Sequence, residues 1–299
     1  MYPTAQIFYS NHPDINFVPV VDENRNLLDV MTQTRAFWMS RYNAQQVPRL
    51  WYAKGIYEAA KTAAIAGIKH ISVMEFGVAT GGGLLTMEFH AHEVERVTGI
   101  KIDVYGFDSG EGLLFDESDQ RNIAFRFCKG DYRMNKEDLM DKIRYAKMIF
   151  GDICDTTKDF FQKYHPAPIG FVSVDVDNYT PTAAILAMLA NQDESLFLPR
   201  VQLYFDDLLS DFEFQGEIQA IKEFNQKYEN LKISPEGFPG DVLESRFVDV
   251  YDNRPTMCRG KASVAYFMKK MKLLHRFNHP AYNYDDGITY DLTRTSTLI

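Results

Sequence analysis

Two short carboxylate groups carry the clearest chemical signal in this chain: Asp175-Val176-Asp177 and Asp206-Asp207. Each closes an apolar run, Ile169 to Val174 and Val201 to Phe205, so each is expected at the carboxyl end of a strand, the edge where open α/β sheets keep their sites. Acids crowded at one edge repel one another unless a cation or shared protons offset the charge. A hard divalent ion held by oxygen meets that need, and no histidine or cysteine lies nearby in sequence to suggest zinc. The plainer alternative has Asp177 and Asp207 capping the helices that follow and the other acids facing water. A second constellation is Val73 to Gly83, an apolar half followed by a glycine cluster, with Glu75 two residues before Gly77. Glycine reaches backbone angles closed to other residues and lets a ligand approach the main chain, so the stretch suits a nucleotide-type turn; a ligand-free βα turn is the alternative. Asp108 then ends the run Ile102 to Phe107, where a carboxylate can accept two hydrogen bonds from a ribose diol.

The elements that must position these residues follow from the apolar pattern. A helix is plausible from Thr34 to Gln46, and a stronger one runs from Pro48 to Ala66, with Tyr52, Ile56, Ala59 and Ala60 on one face and Gly67 past its end. Ile71 to Phe76 is the first strand, Leu84 to about Val97 a helix ended by Gly99, and Ile102 to Phe107 the second strand. Asp116 to Asp141 is a charged excursion of loop and helix. Lys147 to Phe150 reads as the third strand, before Gly151 and Asp152, and a helix covers Thr156 to Tyr164. After the fourth and fifth strands comes a helix from Gly216 to Tyr228. Leu231 to Ser234 competes with Phe247 to Tyr251 for the sixth strand, and Ser263 to Met268 reads as the last. His90 and His92 stand two apart in a helix and so point to different sides, which favours surface or satisfied histidines over a metal pair.

The whole chain has 299 residues, 45% of them apolar, enough for a large core around one α/β domain with added termini. Residues 1–66 are expected to form an N-terminal arm and helices serving as a lid or oligomer contact, 67–274 the main domain, and 275–299 a tail. A formal charge of -9 argues against nucleic acid as the main partner. Cys128, Cys154 and Cys258 are widely spaced and suit reduced thiols. No basic region leads into an apolar run at the N-terminus and no segment approaches membrane-spanning length, so a cytoplasmic protein is expected, with a small-molecule substrate, no membrane partner and room for homo-oligomers.

The pattern Glu-x-Gly-x-x-x-Gly-x-Gly from Glu75 to Gly83 resembles the first motif of class I S-adenosylmethionine-dependent methyltransferases more than a dinucleotide fingerprint. With Phe107-Asp108-Ser109, Glu111-Gly112-Leu113, Asp175-x-Asp177-x-Tyr179 with Thr182, and Asp206-Asp207, the match narrows. In order and spacing these motifs resemble the macrocin-type O-methyltransferase family over residues 70 to 225. The resemblance implies a Rossmann-like class I methyltransferase fold, a mostly parallel seven-stranded sheet with helices on both faces. It implies S-adenosylmethionine and magnesium as cofactors, and methylation of a hydroxyl on a sugar or other natural-product-like molecule. It places Glu75, Gly77, Thr80, Gly81, Gly83, Asp108, Ser109, Asp152 and Asp175 at the cofactor. Asp175, Asp206 and Asp207 become metal ligands, and Asp177 the general base. Asp152 either reaches the adenine amino group or is a simple turn aspartate. Gly110 stands where the family usually has a bulky aromatic, and Leu114 replaces a common proline. A nicotinamide-dependent oxidoreductase would share the strand, glycine turn and ribose acid, but gives the aspartate pairs no role; a non-catalytic cofactor-binding protein would be expected to lack those acids.

Overall fold

The computed structural model describes residues 49–191, 193–208, 213–235 and 271–282. The predicted helix Thr34 to Gln46 and the strand candidates Phe247 to Tyr251 and Ser263 to Met268 lie outside the described residues. Seven strands form one sheet: β1 (His70–Phe76), β2 (Lys101–Asp108), β3 (Lys147–Phe150), β4 (Ile169–Val174), β5 (Phe197–Phe205), β6 (Leu231–Pro235) and β7 (Met271–Arg276). Their order is β3-β2-β1-β4-β5-β7-β6, with β7 antiparallel to both neighbours and the pairs from β3 to β5 parallel. This is the Rossmann-like class I methyltransferase arrangement. β2 and β3 follow β1 on one side and β4 and β5 on the other, so the chain reverses direction between β1 and β4, and a crevice opens there at the carboxyl ends.

Three helices, α1 (Leu50–Ile65), α2 (Gly82–Thr98) and α3 (Lys136–Lys142), contribute to the core on one face. On the other are α4 (Ile153–Tyr164), α5 (Tyr179–Leu189) and α6 (Gly216–Lys227). In α1 the buried Tyr52, Ala53, Ile56, Ala59, Ala60 and Ala63 recur at the helical period. At Gly55 an added Cβ would lie 2.4 Å from the Phe171 ring, so the missing side chain is what lets α1 approach β4. The strand period decides which polar residues share that space. Ile71 and Val73 of β1 face the α1 side while Met74 and Phe76 face α4 to α6, so Glu75 necessarily points toward α1. By the same alternation Ser173 falls on the side of Phe171, and Asp206 on the side of Tyr204.

Several boundaries differ from the pattern reading by a residue or two, and three differ for reasons of packing or capping. β5 begins at Phe197 rather than Val201, because its pairing with β4 shifts register around Pro199, a residue with no N–H to give the ladder. α4 begins at Ile153 because Asp152 caps it. β7, between β5 and β6, continues through Arg276, and its mixed basic and apolar sequence gave no strand signal.

Candidate functional site

Backbone bonds continue the sheet one residue past each strand and align the loops that follow. Gly151 N–H donates to Asp108 O, Gly77 N–H to Phe107 O, Asp175 N–H to Phe76 O, and Asp206 N–H to Val174 O, at 2.9–3.1 Å. Glycine turn, Asp108, Asp152 and both aspartate pairs therefore share one edge. Gly77 has φ +84°, and a Cβ there would lie 1.7 Å from Asp175 O; only glycine lets the β1 and β4 ends meet so closely. Ala79 is also left-handed, at φ 47°. Gly81, at φ 88°, starts α2, whose first turn carries no side-chain cap, and Thr80 beside it is exposed.

Asp108 braces this turn. Its Oδ2 accepts from Val78 N–H and Ala79 N–H, each at 2.9 Å, and its Oδ1 accepts from Gly110 N–H at 2.6 Å. A carboxylate has about four acceptor positions, so capacity for a ribose hydroxyl is left. Ser109 shapes the next loop, its Oγ donating to Gly112 O and accepting from Glu111 N–H. Asp152 is the N-cap of α4, accepting from Cys154 N–H at 2.8 Å, so the turn-aspartate reading describes at least one of its oxygens.

Glu75 lies beneath the turn rather than open to it. It is 1% exposed, its Oε1 accepts from Tyr52 Oη at 2.6 Å, and a Cβ at Gly83 would fall 1.8 Å from that oxygen. Ser173 Oγ donates to Tyr52 Oη in turn, so β1, α1 and β4 are tied by one buried chain. Burial pushes Glu75 up to about 8. α1 also brings Arg49 to this edge: burial opposes its charge, but Tyr52, Glu75, Asp175 and Tyr204 outweigh that and hold its pKa above the ordinary value.

The acids of β4 and β5 gather as expected, but they bond to one another and to the scaffold. Asp177, at φ 58°, shares a hydrogen bond with Asp207, and burial followed by the charges of Asp207 and Asp175 raises it to about 8. Asp206 Oδ1 accepts from Tyr204 Oη at 2.6 Å. Neither Asp177 nor Asp207 caps a helix among the described residues: the N-caps of α5 and α6 are Asn178 and Gln215. A further acid, Glu217 in the first turn of α6, accepts from Asp207 N–H at 2.9 Å. Among the described residues no group of three or more His, Cys, Asp or Glu side chains is drawn together tightly enough to enclose a metal ion. The Glu217 Oε1 is buried without a hydrogen-bond partner among the described residues, and burial followed by the charge of Asp207 holds its carboxyl well above the usual carboxylate range.

Tyr179 is a strut between the loop after β2 and α6. Its hydroxyl accepts from Arg121 Nη1 at 2.7 Å and donates to Glu223, and the Arg121 guanidinium covers its ring at 3.9 Å. Ile123 N–H donates to Asn178 Oδ1 and Asn122 bonds Thr180, which seats the loop after β2 on the start of α5. A cavity of about 630 Å³ opens between Glu117–Phe125 of this loop and Phe214–Gln215, beside the acidic edge rather than over the glycine turn. His90 is fully buried against Phe89, while His92 is exposed near Tyr145. The sequence reading missed Arg49, Tyr204 and Glu217 as site residues, and Tyr52 as more than an apolar contact. Strand parity could have paired Tyr204 with Asp206; nothing local marks Arg49 or Glu217.

No protein-family profile matches the chain, and no curated protein matches it. Solved structures similar to it include the O-methyltransferase NovP, 15% identical, covering 60% of this chain and 72% of that one with a TM-score of 0.44. CalS11, a calicheamicin methyltransferase, is 17% identical, with coverage of 79% and 87% and a TM-score of 0.43. The plantazolicin methyltransferase BamL, in complex with a triazolic desmethylPZN analog and SAH, is 11% identical, with coverage of 82% and 91% and a TM-score of 0.38. None of the described helices is long and apolar enough to cross a membrane.

Proposed function

We propose that this chain is an S-adenosylmethionine-dependent methyltransferase, and that it methylates a hydroxyl of a sugar or other small natural-product-like molecule with the help of magnesium, as the resemblance to macrocin-type O-methyltransferases implies. The observation that carries the proposal is the meeting, at the reversal between β1 and β4, of a glycine turn braced by Asp108 with the aspartates that end β4 and β5. A nicotinamide enzyme has use for the first of these features and none for the second.

Methyl transfer from a sulfonium is an in-line displacement, so the protein chiefly has to hold the acceptor oxygen in line and remove its proton. Gly77, Thr80, Gly81 and Gly83 would let the methionine end of the cofactor lie against the turn. Asp108 would take a ribose hydroxyl, Ser109 would shape the loop beside it, and Asp152 would reach the adenine. Glu75 supports the turn from below. Asp175, Asp206 and Asp207 would hold a divalent cation, which supplies Lewis acidity toward the acceptor hydroxyls. Asp177 would accept the proton. In the cation-free protein burial and the neighbouring acids hold Asp177 near 8, so positive charge among those acids is what would leave it ionised at neutral pH.

Melting temperatures with S-adenosylmethionine, S-adenosylhomocysteine and NAD, each with and without magnesium, test the cofactor, because a ligand that binds only the folded state raises them. Stabilisation by NAD and not by S-adenosylhomocysteine would overturn the proposal. With an acceptor in hand, Asp177→Asn should keep S-adenosylhomocysteine affinity and lower the rate by roughly 10²- to 10⁴-fold. Full turnover by metal-stripped enzyme in chelator would remove magnesium from the mechanism.

A further inference from the structure

Arg49, at the start of α1, is a basic residue at the acidic edge for which neither the motif resemblance nor the proposed mechanism has a use. It is half-buried and left-handed, at φ 43°, a conformation that costs energy for a residue with a Cβ and persists where its surroundings impose it. Those surroundings are aromatic. Trp51 stacks on Tyr204 at 5.5 Å, and Tyr52 meets Tyr204 and Phe171 at 5.9 and 5.8 Å, so the first turn of α1 is pinned to β4 and β5. Tyr52 N–H donates to Arg49 O at 2.8 Å, and the guanidinium lies 5.3 Å from the centre of the Tyr52 ring, whose hydroxyl meets Glu75 beneath the glycine turn. The cation is thereby held where the ends of β1 and β4 meet, within reach of Glu75 and Asp175.

A guanidinium carries five donors in a planar fork, and among the described residues no carboxylate is hydrogen-bonded to this one or paired with it. Burial holds the Tyr52 and Tyr204 phenols above their ordinary range and Glu75 at about 8, so these three neighbours are neutral at neutral pH and leave the cation unbalanced on their side. Lys136, beside Gly110 at the Asp108 end of the crevice, is already paired with Glu111 at 2.9 Å. S-adenosylmethionine ends in an amino acid whose carboxylate must come to rest against the glycine turn, near acids that disfavour another anion. A positive fork of donors offsets that and matches a carboxylate two bonds at a time. We propose that Arg49 is the receptor for the cofactor's amino-acid carboxylate, reaching the methionine end from α1 while the glycine turn supports it from the sheet. This rests on the methyltransferase reading and deepens it, because the cofactor site is then completed by a residue outside the strand-and-turn motif, from the helix that precedes β1.

The test is calorimetry of the full chain with two ligands that differ in that carboxylate alone: S-adenosylhomocysteine and its decarboxylated analogue, which keeps the adenosine, the thioether and the amine. Wild type and Arg49→Gln are titrated with each, with melting curves confirming that both are folded. Loss of a charge-assisted, two-pronged bond predicts that Arg49→Gln binds S-adenosylhomocysteine about 10- to 100-fold more weakly. It should bind the decarboxylated analogue at least as well as wild type does, since the amine no longer meets a positive neighbour. A guanidinium that merely balances the acids or holds α1 predicts equal weakening toward both ligands. That result, or wild-type affinity of Arg49→Gln for S-adenosylhomocysteine, overturns the inference and leaves the methyltransferase reading standing. So does equal affinity of wild type for the two ligands, a comparison that needs no variant. Absence of S-adenosylhomocysteine binding by wild type overturns both.

Discussion

Replacing Asp108 with asparagine changes one oxygen to an amide nitrogen and tests how the glycine turn is held. The carboxylate accepts from three backbone N–H groups, those of Val78, Ala79 and Gly110, at 2.6–2.9 Å, and is 8% exposed. Hydrogen bonds to a charged group contribute about 1.5–3 kcal/mol each, and an orphaned buried donor costs about 1–3 kcal/mol. Asparagine can keep its carbonyl toward Val78 and Ala79, which weakens two bonds from charged to neutral, but its NH₂ then faces Gly110 N–H and cannot accept. The sum is a loss of about 3 kcal/mol, moderated where water reaches the half-buried Ala79. Asp108→Ala removes every acceptor and should lose more. Urea unfolding reads this as a lower midpoint at unchanged slope. Calorimetry with S-adenosylhomocysteine should show affinity falling at least about tenfold, since each 1.4 kcal/mol of lost organisation at the turn is a factor of ten. Wild-type midpoints in both variants would refute the bracing role. Wild-type cofactor affinity in both would remove Asp108 from the cofactor site.

Glu75 and Arg276 give two further tests. The folded-state pKa of Glu75 is raised from 4.5 to about 8, so between these values the folded chain holds a proton that the unfolded chain releases. Its contribution to stability therefore falls as pH rises through that window and levels off above it. Glu75→Gln, which retains an acceptor for Tyr52, should unfold with a shallower pH dependence and gain on wild type toward the alkaline end; identical slopes would contradict the assignment. Arg276, with 0% exposure, bonds Glu194, Leu189 O and Asn191 O and lies 4.0 Å over the Phe197 ring. Arg276→Leu strands a carboxylate and two carbonyls at the end of α5, and should cost about 3–5 kcal/mol by denaturant unfolding. A loss below about 1 kcal/mol, the range of an exposed ion pair, would show that water or a rearranged Glu194 takes over its partners.

The sequence by itself determined the parallel half of the sheet and the contents of its edge. Lys147–Phe150 and Ile169–Val174 are legible to the residue because each is a mostly apolar run closed by turn residues, and the end of α2 is written in Gly99, at φ 70°. The glycine turn and the aspartate pairs were legible for the same local reason: they stand where a strand pattern stops. Strand parity even contained the direction of Glu75, although a site acid pointing into the core was not the expectation. Tertiary structure alone decided its partners. Ser173, Tyr52 and Glu75 join across 121 and 23 residues of sequence, and no short-range period encodes which hydroxyl meets which carboxyl. The same holds for Glu217, an ordinary first-turn helix acid in sequence, which meets the Asp207 backbone only because Gly216 lets α6 start against the loop that carries Asp177. It holds also for β7, whose alternating Met271 to Arg276 has too few apolar residues to announce a strand and becomes one because β5 and β6 each offer an open edge on either side of it. Local sequence sets which residues lie at an edge or on a face through the periods of helix and strand. Which of them then touch is set by the packing of elements distant in the chain, where burial leaves each polar group only the partners the fold delivers.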